Sequence, residues 1–237
     1  MSQLVGPNSE KIKAMFSEVA GRYDQANSIL SFGIHKIWRK KLVKMSQAQM
    51  GNSVLDCATG TGDLAIEFKK AVGIKGKVVG TDFCLPMLAF GPQKAKRFGL
   101  DIQWQQADVT QLLFPDQKFD ISSIAFGIRN VDDPLKGLKE LARVSKAGGR
   151  VMVLEFGQVQ NPVLKFFYSV YAQSFLPILG GFITGKRQAY QYLQESSATF
   201  PCGQSFADLM MQTGQFKNVH FEMSFGGIAY LYRGQKA

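Results

Sequence analysis

Asp56, Asp82 and Asp108 each stand at or near the end of a short apolar run, and a glycine turn follows the first of them. In VLDCATGTGDLA (54–65) a strand ends at Asp56, Gly60-Thr61-Gly62 makes the turn, and a helix begins near Asp63. Glycines let a backbone approach a ligand closely, and a helix N-terminus offers it unpaired N–H groups. Gly60-x-Gly62-x-x-Ala65 also fits the dinucleotide fingerprint, with Asp82 as the acceptor for ribose hydroxyls. NAD proteins, methyltransferases and chance all produce that pattern, so it does not decide the ligand. Asp56 discriminates better. A carboxylate there repels a pyrophosphate but suits a cationic amino-acid moiety, and Asp108 is placed to accept from an adenine amino group. Each aspartate has a plainer use as a cap of the following helix. Together they favour S-adenosylmethionine (SAM) over NAD, and a dehydrogenase would usually need a second domain for which the chain has no room.

The elements that must position these residues follow from the periodicity. From residue 53 onward short apolar runs alternate with amphipathic stretches, which predicts βαβ units and a parallel sheet. Strands are expected at 53–58, 77–82, 101–108, 119–126 and 149–156, with helices at 63–72, about 86–97 and 133–144. Pro134 falls in the first turn of the last of these helices, where its missing N–H costs little. A helix is expected at 204–214, then an antiparallel hairpin around Gly226-Gly227. Residues 163–183 hold one charge, Lys165, and approach the length of a bilayer span, but Pro177 and Gly180-Gly181 interrupt them. They read as an apolar helix that covers a lipid-like ligand or touches a membrane.

The chain has 237 residues and a net charge of +10, and it fits a single domain. Through residue 44 there are eight Lys/Arg against three acids, so the excess is concentrated at the N-terminus. Such asymmetry implies an anionic partner: a nucleic acid, a membrane surface or a charged ligand. Three dispersed cysteines give neither a disulfide framework nor a metal site, no metal is expected, and MSQLVGPNSE lacks the apolar core of a signal peptide. A cytoplasmic protein is expected. Between Tyr23 and Lys41, the residues Tyr23, Asp24 and Asn27 are polar and set too close together for an ordinary core face, and His35 follows on the next helix. Ile34, Ile37, Trp38, Leu42 and Met45 share one helical arc, while Lys36, Arg39 and Lys40 point away.

YDQANSILSFGIHKIWRKKLV, VLDCATGTGDLA, FGIRNVDDP and RVSKAGGRVMVLEF occur in an order and spacing that resembles the ubiquinone/menaquinone biosynthesis C-methyltransferases, from about Phe16 to the C-terminus. The resemblance implies an α/β, class I methyltransferase (Rossmann-like) fold. This has a seven-stranded, mostly parallel sheet with an antiparallel C-terminal strand, plus an N-terminal helical lid. Residues 1–50 would form the lid, 51–160 the SAM-binding core, and 161–237 the substrate-side helices and terminal hairpin. Thr61, Asp82, Asp108 and Val109 match positions that contact SAM; Ala125 stands where the family has a serine. The implied reaction is C-methylation of a polyprenylated quinol, demethylmenaquinol first and a methoxy-benzoquinol second.

Arg129 and Asn130 follow the fourth strand, at the sheet edge where α/β proteins present side chains to ligands. Arginine, with a pKa above 12, is no base, so Arg129 is assigned to stabilising the quinolate and Asn130 to orienting the quinol or a water. Tyr23 is expected to hydrogen-bond a ring oxygen and Asp24 to take a proton through water, with His35 the competing base. The basic lid and the apolar segment, with Phe166, Phe167, Tyr168, Tyr171 and Phe175, would dock on an anionic membrane and guide the prenyl tail. The enzyme would then sit at the inner face of the membrane, and a homodimer stays open. A basic RNA methyltransferase is the rival, but the chain shows neither an RNA-binding module nor a Pro-Cys pair after the fourth strand.

Overall fold

Along β1 (Ser53–Cys57) successive side chains leave opposite faces of the sheet, and both faces are covered. Val54 joins Val78, Ile121, Met152 and Leu154 in one core, while Leu55 joins Val79, Ile124, Val151 and Val153 in the other. Near-continuous apolar runs are what a parallel sheet buried on both sides requires. Each such side chain contributes roughly 1.5–3 kcal/mol by leaving water, so these runs carry the fold.

The structure is a computed structural model that describes residues 6–171 and 176–237. The strands are β1, β2 (Lys77–Asp82), β3 (Gln103–Gln106), β4 (Phe119–Ala125), β5 (Ser145–Phe156), β6 (Phe216–Ser224) and β7 (Ala229–Lys236). They form one seven-stranded sheet in the order β3-β2-β1-β4-β5-β7-β6. β1 to β5 pair in parallel, and β7 runs antiparallel to both β5 and β6. The winding reverses between β1 and β4, which leaves a crevice at their carboxyl ends.

α3 (Ile34–Met45) and α4 (Asp63–Val72) cover one face, α7 (Pro134–Val144) and α11 (Gln204–Gln212) the other. α7 starts where the proline predicts, with Asp133 accepting from the Lys136 N–H at 2.9 Å as the N-cap. α1 (Ser9–Val19) and α2 (Tyr23–Leu30) lie over the carboxyl edge, and α8 (Pro162–Val170), α9 (Leu176–Thr184) and α10 (Arg187–Thr199) complete the chain on that side. Among the described residues no helix is long and apolar enough to cross a membrane. Residues 172–175, with Gln173 and Phe175 of the expected apolar path, lie outside the described residues.

Several boundaries differ from the periodicity. The third strand is shorter than 101–108, so Asp108 sits beyond its end. The helix expected over 86–97 divides into α5 (Leu85–Leu88) and α6 (Phe90–Arg97). β5 begins at Ser145 rather than 149, because the segment before the glycine turn already pairs with Phe119 across an irregularity in register. Within the apolar stretch the described residues form α8 and α9.

Trp104 of β3 explains three glycines. A Cβ at Gly62, Gly80 or Gly91 would come within 2.4–2.8 Å of its indole ring. The ring therefore wedges the glycine loop, β2 and α6 into fixed relation. Trp104→Ala should lower the unfolding free energy by roughly 2–4 kcal/mol, short of a fully buried aromatic because the ring is only part-buried. Urea-induced unfolding of the ligand-free protein measures this.

Candidate active site

Two connected hollows occupy the carboxyl edge of the sheet. The smaller, about 140 Å³, lies over the ends of β1, β2 and β4 and is roofed by Ile12, Lys13 and Phe16 of α1. The larger, about 450 Å³, is mainly apolar and is enclosed by α2, α3, α8, α10 and the end of β5. Phe16, Tyr23 and Phe126 line both, and so mark the passage between them.

In the smaller cleft Asp82 accepts from the Gly60 N–H at 2.7 Å and the Cys84 N–H at 2.8 Å. Burial raises its pKa, and those two N–H groups pull the other way. Asp108 also lines this cleft; one oxygen accepts from the Thr110 N–H (2.8 Å) and hydroxyl (2.9 Å), leaving the other for a ligand. It is thus both a turn cap and a wall residue. Gly60, Val109 and Asn130 share the same wall. Ala125 is there too.

Asp56, Thr61 and Gly62 are not on that wall. Asp56 is buried beneath the loop, accepting from Thr59 Oγ1 at 2.6 Å and Ser123 Oγ at 2.8 Å. Burial pushes its carboxyl up to about 6, against those two hydroxyls. It supports the loop from below. Gly62 faces the Trp104 ring. The Thr61 hydroxyl donates to Asp24 Oδ1 at 2.6 Å and accepts from Lys94 Nζ at 3.1 Å.

Asp24 corrects its expected role most clearly. Its other oxygen is 2.6 Å from Lys94 Nζ, and it lines neither hollow. It cannot serve as a free base beside the substrate. It latches α2 to the glycine loop. Lys94 of α6 also pairs with Asp63, the first residue of α4, and Asp63 is 3.2 Å from Arg39 Nη1 of α3. Burial alone would raise the Asp63 carboxyl, but Arg39 and Lys94 together outweigh it and hold it low. Arg39 Nη1 in turn donates to His35 Nδ1. Burial, helped by Arg39, pushes His35 down to about 4, so the imidazole is neutral and weakly basic. His35 lines the larger hollow, but its bonds to Arg39 and Ser28 give it a structural part.

Tyr23 stands in the passage, and burial raises its phenol pKa while the Asn27 side chain and Arg39 lower it. It is therefore a donor at neutral pH. Arg129 and Asn130 face different hollows. Asn130 turns to the smaller cleft, its Oδ1 accepting from the Tyr192 hydroxyl at 2.9 Å. Arg129 is buried and lines the larger hollow. Its Nη1 pairs with Glu155 at 2.5 Å and donates to the Phe126 carbonyl at 2.9 Å, while Nε reaches Ser196 Oγ at 3.4 Å. Nη2 has no hydrogen-bond partner among the described residues. Arg129 pairs with neither Asp132 nor Asp133, its neighbours in the chain.

The passage is strained. Phe126 has φ +56° and Ala58 φ +47°, both left-handed, at about 1–2 kcal/mol each. The Phe126 N–H donates to Leu154 at 2.7 Å, and its ring lies 4.4 Å from that of Phe156. Such strain persists only where surrounding structure fixes it, as at ligand sites. Glu155, Lys94, Asp63 and Arg39 were not singled out by spacing. Glu155 alone carried a signal, a carboxylate inside the apolar run RVMVLEF. Among the described residues no three His, Cys, Asp or Glu side chains gather as a metal site.

The chain matches the profile of the ubiE/COQ5 methyltransferase family over residues 5–236. It is 59% identical to the ubiquinone/menaquinone biosynthesis C-methyltransferase UbiE of Bdellovibrio bacteriovorus, over 96% of this chain and 97% of that protein. The UbiE of Francisella tularensis subsp. novicida is 42% identical, over 96% and 91% of the two chains. Among solved structures, a SAM-dependent methyltransferase from Thermotoga maritima superposes with a TM-score of 0.66 at 18% identity, covering 94% of this chain and 99% of that one. One from Aquifex aeolicus gives 0.61 at 19% identity, covering 84% and 89%. These structures share the fold.

Replacing Lys94 by Met should release α2 from the glycine loop while leaving the sheet intact. Asp24 and Thr61 would lose their cation, and hydrogen exchange in α2 should quicken at least several-fold with β1 and β4 unchanged. A cost of roughly 1–2 kcal/mol in global stability is expected for half-exposed ion pairs of this kind. Unaltered exchange in α2 would rule the latch out.

Proposed function

The chain belongs to the ubiE/COQ5 methyltransferase family, a family of SAM-dependent methyltransferases, and from that premise we propose that it methylates a ring carbon of a polyprenylated quinol. Demethylmenaquinol is the preferred acceptor and a 2-methoxy-6-polyprenyl-benzoquinol the second. The observation that carries this reading is the apolar hollow of about 450 Å³ that meets the cofactor cleft at Tyr23 and Phe126. It has the size and lining of a small-molecule site, with a few convergent polar groups.

The donor set of the smaller cleft fits SAM. Gly60 brings backbone close, Asp82 offers a carboxylate to ribose hydroxyls, and the free oxygen of Asp108 suits an amino group. When bound, SAM supplies an electrophilic methyl group. Everything else is asked of the protein. A ring carbon is a poor nucleophile until a neighbouring hydroxyl is ionised. Arg129, which lines the hollow, stabilises the negative charge that forms on that oxygen. Tyr23, a neutral phenol in the passage, donates to a ring oxygen. Asn130, held by Tyr192, fixes the wall between acceptor and cofactor. Phe126 and Phe156 offer flat faces to the ring. Neither Asp24 nor His35 is placed as a strong base, so a water in the hollow carries the proton away.

The prenyl tail calls for an apolar exit. Val163, Leu164, Phe166 and Val170 of α8 are exposed, as are Ile178 and Leu179 of α9 and Phe32 at the end of α2. Phe32 lies 6.4 Å from Tyr171, which lines the hollow. With Lys36 and Lys40 nearby in the chain, this surface suits the anionic cytoplasmic face of a membrane, at about 1 kcal/mol per cation.

Labelled SAM should transfer methyl to a chemically reduced, prenylated demethylnaphthoquinol, and more slowly to the methoxy-benzoquinol, with none to tRNA. Arg129→Lys should lower kcat by about 10²-fold, since lysine cannot reproduce the fork. Label on tRNA alone would overturn the reading. Separately, the enzyme should sediment with vesicles containing phosphatidylglycerol and be released by 0.5–1 M salt, roughly the range where the Debye length falls to a few ångströms. Phe32→Ser combined with Phe166→Ser should weaken that binding several-fold and slow long-tailed acceptors more than short-tailed ones.

A further inference from the structure

We propose that Glu155 is a positioning residue for the methyl transfer, setting both the place and the electrostatic strength of Arg129. The inference rests on the functional reading above and deepens it.

Glu155 is 2% exposed, in a strand whose other residues from Val151 to Leu154 are apolar and buried. A carboxylate in such a place is strongly disfavoured unless paired and hydrogen-bonded. It is paired and bonded three times over. Oε1 accepts from Arg129 Nη1 at 2.5 Å and the Phe156 N–H at 2.9 Å, and Oε2 from the Arg129 N–H at 3.4 Å. The pair adds little net stability, because desolvating both charges cancels most of their attraction. Its value lies in direction. Glu155 and the Phe126 carbonyl capture Nη1, Ser196 approaches Nε, and Nη2 is left for the larger hollow. The same contacts hold Phe126 in its left-handed conformation at the passage.

The pairing also moderates charge. A lone buried guanidinium would bind the ionised quinol as a full ion pair and drain electron density from the ring that must attack. With Glu155 attached the pair is neutral overall, and the oxygen meets a directed N–H donor. The quinol hydroxyl then ionises less readily but forms a more nucleophilic ring. Glu155 does not line either hollow, so it acts through Arg129 and not on the substrate.

The test compares the pH dependence of kcat for wild type, Glu155→Gln and Glu155→Asp, with a reduced demethylnaphthoquinol as acceptor and SAM affinity as a check on the cleft. Glu155→Gln keeps an acceptor oxygen but removes the charge. Its acidic limb should move about one unit to lower pH, because an unneutralised Arg129 favours the quinolate, and its plateau should fall several-fold. Glu155→Asp keeps the charge but withdraws it by a methylene. Its limb should stay in place while kcat falls several-fold and the KM for quinol changes little. SAM affinity should be unchanged in both. An unmoved limb in Glu155→Gln, or a wild-type kcat in Glu155→Asp, would overturn the proposal, and the Asp variant decides should the Gln variant fail to fold. Failure of the wild-type enzyme to label any quinol would overturn the functional reading and this inference with it. Labelling by wild type with an unmoved limb in the Gln variant overturns the role of Glu155 alone.

Discussion

A parallel sheet covered on both faces leaves its polar chemistry one place to go, the carboxyl ends of its strands. β1, β2, β4 and most of β5 are filled with side chains that alternate between two dry cores. A charged group inside either core would cost several kcal/mol without a partner. Asp82, Asp108, Arg129 and Glu155 accordingly gather at or just beyond one edge, on both sides of the point where the winding reverses. Both hollows follow from the same constraint, since β1 and β4 diverge there and no strand fills the gap.

What closes that edge is electrostatic where the rest of the fold is hydrophobic. The chain Asp24–Lys94–Asp63–Arg39–His35 joins α2 and α3 to the glycine loop and α6. Asp24, Lys94 and Asp63 are only partly buried, so the links among them are each worth less than one well-packed leucine. Helices tied this way are held by weaker contacts than the strands, whose side chains fill two cores. The difference in strength between the two kinds of contact assigns most of the stability to the sheet.

That difference also explains what was legible in the sequence. The sheet announced itself through periodicity, and the glycine loop through a pattern whose backbone requirements are local. Gly60, Asp82, Asp108 and Asn130 line the smaller cleft, and their neighbourhood was legible because they lie on strand ends or turns, whose place in space follows from chain position. Asp24 and Asp56 line neither hollow, for a common reason. Each lies in the right neighbourhood, but a carboxylate points wherever its hydrogen-bond donors stand, and those donors are Lys94 and Ser123, distant in the chain. Lys94 looked like one more cation in the basic turn of an amphipathic helix. Glu155 was the one partner with a visible clue, since no ordinary buried strand keeps a carboxylate without a buried cation to meet it. Trp104 had none, because only the assembled structure shows three glycines giving way to one ring.

The apolar side chains left on the surface bear on how the enzyme works as much as the buried ones do. Phe32, Val163, Phe166 and Ile178 are each more than half exposed. Scattered exposed hydrophobics are normal; here they lie on α8, on α9 and in the turn after α2, and under the proposed function they serve as the apolar exit for the tail. The chain's excess positive charge offsets the tendency of such exposed side chains to self-associate. On the proposed reading, an acceptor that lives in a bilayer and a cofactor that lives in water must meet somewhere. The passage lined by Tyr23 and Phe126, with water-facing acids on one side and greasy helices on the other, is a boundary of that sort built within one fold.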